Sequence, residues 1–238
     1  DWTFHGKAFK TLPPTQKVAV CKGNFNWRPT NKRMHRIEPG NCPSPLCPVC
    51  EQEEETNDHI YQCGHHISRA HQLKTLETLR EWGKRRKFHT VLITVFLQHL
   101  NAWMRGTDID TQHRTIHIDP IHTKIEEAVE EQYEIGWENA MRGRLSKKWG
   151  MAQNLADAQM KRKERSGLIV NLICKLWEQM HILWKERNES KHGRTPEEIQ
   201  QKLRKTINPL VREAYKTRET AVSLFNQKLF RVDLEERL

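Results

Sequence analysis

The sequence predicts a mainly α protein in which a small Cys/His-rich module precedes a helical, bundle-like region. Three observations carry that expectation. The segment GLIVNLICKLWEQMHILWKERN sets Leu168, Ile169, Leu172, Ile173, Leu176, Trp177, Met180, Leu183 and Trp184 on one broad apolar face at the helical period. Helix-start chemistry recurs. Asp119 precedes Pro120, and Thr195-Pro196-Glu197-Glu198 reads as a capping box in which Glu198 reaches back to the Thr195 N–H. Finally, three of the six cysteines fall between Cys47 and Cys63, so they are not spread as a disulfide scaffold would spread them.

The elements follow in order. Residues 1–40 form a lead-in of short pieces, because Pro13, Pro14 and Pro29 interrupt long helices, with a strand as an option at Lys17–Cys21. Residues 41–105 form the Cys/His module and its following helices. Pro43, Pro45 and Pro48 impose irregular backbone on its start. A stripe of Ile67, Ala70, Leu73, Leu76, Leu79 and Trp82 then predicts one helix, and Thr90–Met104 a second. A linker is expected at 106–119 and a helical C-terminal domain at 120–238. Within that domain, Asn208-Pro209 predicts a break or a kink and a last helix that aligns Val211, Tyr215, Val222, Phe225 and Leu229.

The 238 residues include eight Trp and seven Phe, which require a buried core and exclude a disordered chain. The longest apolar run, Val91–Leu97, is too short to cross a bilayer. The start at Asp1, without Met or a secretory signal, reads as a fragment of something longer. Forty Lys and Arg against thirty Asp and Glu give a net charge of +10. Such an excess favours a polyanionic partner, because phosphate binding gains from counterion release. The charge is clustered: Lys84, Arg85, Arg86 and Lys87; Arg142, Arg144, Lys147 and Lys148; and the run KRKER at 161–165. Trp27 with Arg28, Lys32 and Arg33 mixes an aromatic ring with cations, a surface that single strands bind by stacking and charge.

Cys47-x2-Cys50 followed by His59-x3-Cys63 has the spacing of a structural zinc site: two thiolates on a turn, then two ligands on one helical turn. Cys42, His65 and His66 are near enough in sequence to substitute for one ligand. Four protein ligands favour a closed site over a catalytic one that keeps a place for water. Three thiolates and a neutral imidazole leave a zinc complex with a charge near minus one. The connector adds five acids, Glu51, Glu53, Glu54, Glu55 and Asp58, so phosphate is expected at flanking basic segments and not at the metal. His113, His117, Asp119 and His122 read as ordinary residues around a helix start.

CPVCEQEEETNDHIYQC resembles the zinc-binding region that follows the polymerase domain in reverse transcriptases of non-LTR retrotransposons, through Cys47, Pro48, Cys50, Glu54, Glu55, Thr56, His59, Ile60 and Cys63. Trp27-x-Pro29-Thr30 resembles the segment preceding that finger. Leu183-Trp184-x-x-Arg187-Asn188, ending in His192-Gly193, resembles a segment of related element-encoded proteins. The resemblance implies a zinc-dependent grip on element RNA or target DNA inside the cell, in the nucleus. It implies no polymerisation by this chain, which has no Y-x-D-D motif and no adjacent Asp pair. The rival expectations are a zinc-stapled helical scaffold that contacts protein through its apolar seams, and a metal-dependent nuclease using His65 and His66.

Overall fold

A computed structural model describes residues 2–107, 109, 119–156, 167–221 and 226–237. The KRKER run, His113, His117, Val222 and Phe225 lie outside the described residues. Among those described, the chain is helical apart from turns and one isolated antiparallel bridge, Leu46 with Glu54. It divides into two compact units, Asp1–Arg187 and Asn188–Leu238.

The first unit begins with α1 (Trp2–Thr11) and α2 (Pro14–Asn24). Pro14 occupies the first turn of α2, where its missing N–H removes no hydrogen bond. The strand considered at Lys17–Cys21 is therefore the middle of a helix. The segment has no ladder partner, and a helix satisfies its backbone locally. Thr30 caps α3 (Asn31–Ile37) by accepting from the Arg33 N–H at 3.4 Å. After the Cys/His segment come α4 (His59–Gln62), α5 (His66–Arg85), α6 (Thr90–Arg105), α7 (Pro120–Ile135), α8 (Glu138–Met141), α9 (Lys147–Ala156) and α10 (Leu168–His192).

The core forms around α6. Leu92, Phe96, Leu100 and Met104, four apart, are fully buried, and α6 packs against α5, α7 and α9. Trp149 meets the Phe96 ring edge-on, and Trp137 stacks on His99. The α10 face is buried as the periodicity requires, from Ile169 through Leu183, with Trp184 half-buried. One continuous hydrophobic cluster joins residues on both sides of 106–119, from Ala8 to Leu183. The expected module break there is not a boundary of packing, because Ile125, Ala128 and Val129 of α7 bury against the same core.

The α5 stripe departs from expectation. Ile67 and Leu73 are exposed, whereas Gln72, Thr75, Leu76, Leu79 and Gly83 are buried. Residues three apart fall back by about 60° per step on an α-helix, so a strict three-residue stripe spirals off any one face. The buried set follows the true period, and Gln72 enters the core because its amide donates to the Cys63 carbonyl at 3.1 Å.

Gly143 turns the chain between α8 and α9 at φ +77°, and a methyl group there would lie 2.8 Å from Ile173 and Trp177 of α10. Gly143→Ala is expected to lower stability by about 3 kcal/mol, combining left-handed strain with overpacking, as read from urea unfolding.

In the second unit, Thr195 caps α11 (Pro196–Lys216) by accepting from the Glu198 N–H at 3.2 Å. The Glu198 carboxylate reaches one residue further back than expected, to the Arg194 N–H at 2.8 Å. Gly193, at φ +104°, ends α10 as expected of a C-cap glycine. Of the break or kink expected at Asn208-Pro209, the break does not occur: α11 runs through Pro209. Good helix formers lie further out on both sides, at 200–205 and 212–214, and the helix continues at the loss of the bond to the Lys205 carbonyl. The chain then returns through α12 (Arg218–Ala221), a 3-10 turn (Gln227–Phe230) and α13 (Leu234–Arg237). Tyr215 packs edge-on against Phe230 and donates its hydroxyl to the Val232 carbonyl at 2.6 Å.

Candidate metal centre

The Cys/His segment is built from two short local structures. Pro45–Cys47 and Glu53–Glu55 run antiparallel, joined by Cys47 N–H to Glu53 carbonyl and Glu55 N–H to Pro45 carbonyl bonds of 2.8 and 2.9 Å. Glu51, at φ +55°, turns the chain between them. The Val49 N–H points at the Cys47 sulfur, 3.4 Å away, which orients the Cys47–Cys50 loop around that sulfur. Thr56 then accepts from the His59 N–H at 2.9 Å and starts the single turn that carries His59 and Cys63 on one side.

The outcome is a cluster of four ligand atoms, from Cys47, Cys50, His59 and Cys63, all within 4.8 Å of one another. The Cys47 and Cys63 sulfurs are 3.9 Å apart, and the Cys50 sulfur is 3.4 Å from His59 Nε2. His59 Nδ1 faces the Glu53 carboxylate at 3.2 Å. That contact fixes the ring so that Nε2 points into the cluster, the arrangement by which carboxylates orient metal-bound imidazoles. Without a metal, the hydrogen bond to the Cys63 sulfur pushes the His59 ring up to about 9. The same cluster holds the Cys63 thiol low through its bond from Cys47, and Cys47 correspondingly high. These four groups can hold a metal ion, and with all four bound a tetrahedral ion has no open position.

The alternates stand outside this group. Cys42 is buried, with its sulfur directed at the Ser44 and Asn31 carbonyls. His65 Nδ1 caps α5 by accepting from the Ile67 N–H, and the His66 ring lies beside it at 4.2 Å.

The connector's acids serve as ties. Glu53 faces His59, Glu54 pairs with Lys32 at 2.6 Å, and Asp58 pairs with Arg142 at 2.7 Å. Glu55 is fully buried in a bidentate pair with Arg187, and it also accepts the Asn31 N–H at 2.5 Å. Asn31 completes the network by donating to the Leu46 carbonyl at 2.6 Å. Four of the five carboxylates that were expected to repel phosphate are thus paired. The Glu55–Arg187–Asn31 network was not anticipated from sequence. Its signal was present, since the three residues lie in or beside the three segments that carry the family resemblance.

The structure separates the basic residues. Trp27 is 58% exposed, and Lys84, Arg85, Arg86, Lys87 and Lys147 are exposed. Lys32, exposed and paired with Glu54, and half-buried Arg33 lie on α3. Lys148 is half-buried, 3.6 Å from Glu127. Arg28 must be corrected as a phosphate contact. It is 3% exposed, donates to the Tyr61 hydroxyl at 2.6 Å and lies over the Trp184 ring. Arg142 and Arg144 are half-buried as well, one on Asp58 and the other on Asn139 and over Trp2. Arg187 is internal, bound to Glu55. His122 pairs with Asp119 at the start of α7. Among the described residues, no helix is long and apolar enough to cross a membrane.

No protein-family model, curated protein or solved structure matches the chain.

Proposed function

We propose that this chain is the zinc-stabilised nucleic-acid-binding region of a retroelement reverse transcriptase, acting in the nucleus. It grips element RNA or target DNA and leaves polymerisation to another part of such a protein. Zinc is the metal that a compact Cys₃His set selects. In this reading the metal is a staple and the basic and aromatic surface makes the contact.

One observation carries the binding reading. Phe25 and Trp27 are 59% and 58% exposed, with ring centroids 5.3 Å apart. Asn26, at φ +56°, and the Trp27 N–H bond to the Lys22 carbonyl at 2.8 Å set the pair at the end of α2. Large aromatics left in water beside exposed lysines suit base stacking. Trp27→Ala is expected to weaken single-strand binding about tenfold while the metal content stays unchanged, as measured by fluorescence anisotropy. Affinity that does not fall as salt rises would count against the reading.

A second reading has its own observation. No residue of α11 is buried, and Ile199, Leu203, Ile207 and Leu210 form an exposed apolar row. Such a row fits helix-mediated protein contact. A scaffold of that kind predicts no effect of Trp27→Ala on any binding, so the same measurement separates the two.

A further inference from the structure

The second unit contains a cleft that the reading above does not use. The last two turns of α11 carry Arg212 and Lys216, and α12 opens with Arg218. The return leg of the chain brings Arg231 alongside them, because Tyr215 anchors that leg through Phe230 and Val232. These residues line a cleft of about 590 Å³, within the size range of ligand sites. Its walls hold four cations and one carboxylate, Asp233. That carboxylate accepts the Glu235 N–H at 3.0 Å and so caps α13. Lys216 lies 3.7 Å from Glu213, whereas Arg212, Arg218 and Arg231 form no ion pair among the described residues.

Three arginines in one lining with a single carboxylate, itself engaged in a helix cap, repel one another, and a fold tolerates that arrangement readily when an anion neutralises it. Guanidinium forks match phosphate oxygens in geometry as well as charge. The Tyr215 and Phe230 rings in the same lining offer apolar surface to a base or sugar. We infer that this cleft is a second nucleic-acid contact, which holds the phosphate backbone of a single strand between Arg212, Arg218 and Arg231. The inference rests on the nucleic-acid reading above and adds a site in a separate unit. Two contacts joined in one chain raise avidity through effective concentration.

The test uses the whole zinc-loaded chain with fluorescein-labelled oligo(U) and oligo(dT), titrated across a salt series. The double variant Arg212→Gln, Arg231→Gln is expected to weaken binding about tenfold. It should also reduce the slope of log affinity against log salt by about 1.4, from two lost phosphate contacts on a single strand. Arg212→Lys, Arg231→Lys keeps both charges and should keep the slope. Unchanged affinity and slope in the Gln variant overturn the cleft while the unit 1 reading stands, provided that Trp27→Ala still weakens binding. Absence of oligonucleotide binding by the unaltered chain overturns both. Inorganic tripolyphosphate that displaces the label as well, per charge, as unlabelled oligonucleotide shows a general polyanion site and also overturns the proposal.

Discussion

Replacing Cys63 with Ser is expected to abolish stoichiometric metal binding and to lower the melting temperature by about 10 °C, corresponding to about 3–5 kcal/mol. The Cys63 sulfur lies among the other three ligand atoms, and its carbonyl is held by Gln72 of α5. The segment around it has little regular structure to hold it. Its order comes from one isolated bridge, a single helical turn and the ligand cluster. Zinc-finger peptides draw about 10–16 kcal/mol from their metal. A smaller loss is expected here because Asn31, Gln62 and Gln72 also tie the segment to helices by hydrogen bonds.

Retention of the metal should weaken as pH falls. A metal ion bound by these four groups must displace the proton that the cluster keeps on His59 up to about 9, and also the Cys47 proton. More protons compete for the ligands at lower pH, so affinity drops by about tenfold or more per pH unit below neutrality. Chelator competition at several pH values, with metal content read by mass spectrometry, checks the direction. A Cys63→Ser protein that keeps one equivalent of zinc and an unchanged melting temperature would remove the staple from the account.

The second large effect is expected at Arg187. Arg187→Leu leaves the Glu55 carboxylate buried and without its partner, and should cost about 3–5 kcal/mol. Glu55 is fully enclosed, and Arg187 is 6% exposed. Adding Glu55→Leu to Arg187→Leu should recover part of the loss, because two apolar side chains then occupy the space of the pair. A double-mutant cycle by urea unfolding measures this. Glu55 immediately follows Glu54, which bridges to Leu46 beside Cys47, so the single variant should also loosen the metal segment and speed metal release. A single variant within about 0.5 kcal/mol of the unaltered protein, the range of ordinary surface changes, would mean that the network contributes nothing to the fold.

The helices and the ligands were legible in the sequence because both are local. The apolar period of α10, the Asp119-Pro120 and Thr195-Pro196 starts, and the spacing of Cys47, Cys50, His59 and Cys63 all act over a few residues. Where local signals misled, a nearby alternative had won. At Pro209 the helix continues past the breaker with the loss of one backbone bond, and along α5 a strict three-residue stripe spirals off the buried face.

The sequence by itself determined a mainly helical chain, a four-ligand cluster and an excess of positive charge. Only the tertiary structure decided which charges remain for a partner. Arg28, Arg142, Arg144 and Arg187 look in sequence like Arg85 and Arg86, yet they point inward to Tyr61, Asp58, Asn139 and Glu55. Glu55 and Arg187 are 132 residues apart, and Arg142 reaches Asp58 across 84. A charge is neutralised by whatever the fold brings within a few ångströms, and no local pattern encodes that partner. The same holds for Arg212 and Arg231, which line one cleft because Tyr215 folds the chain end back onto α11.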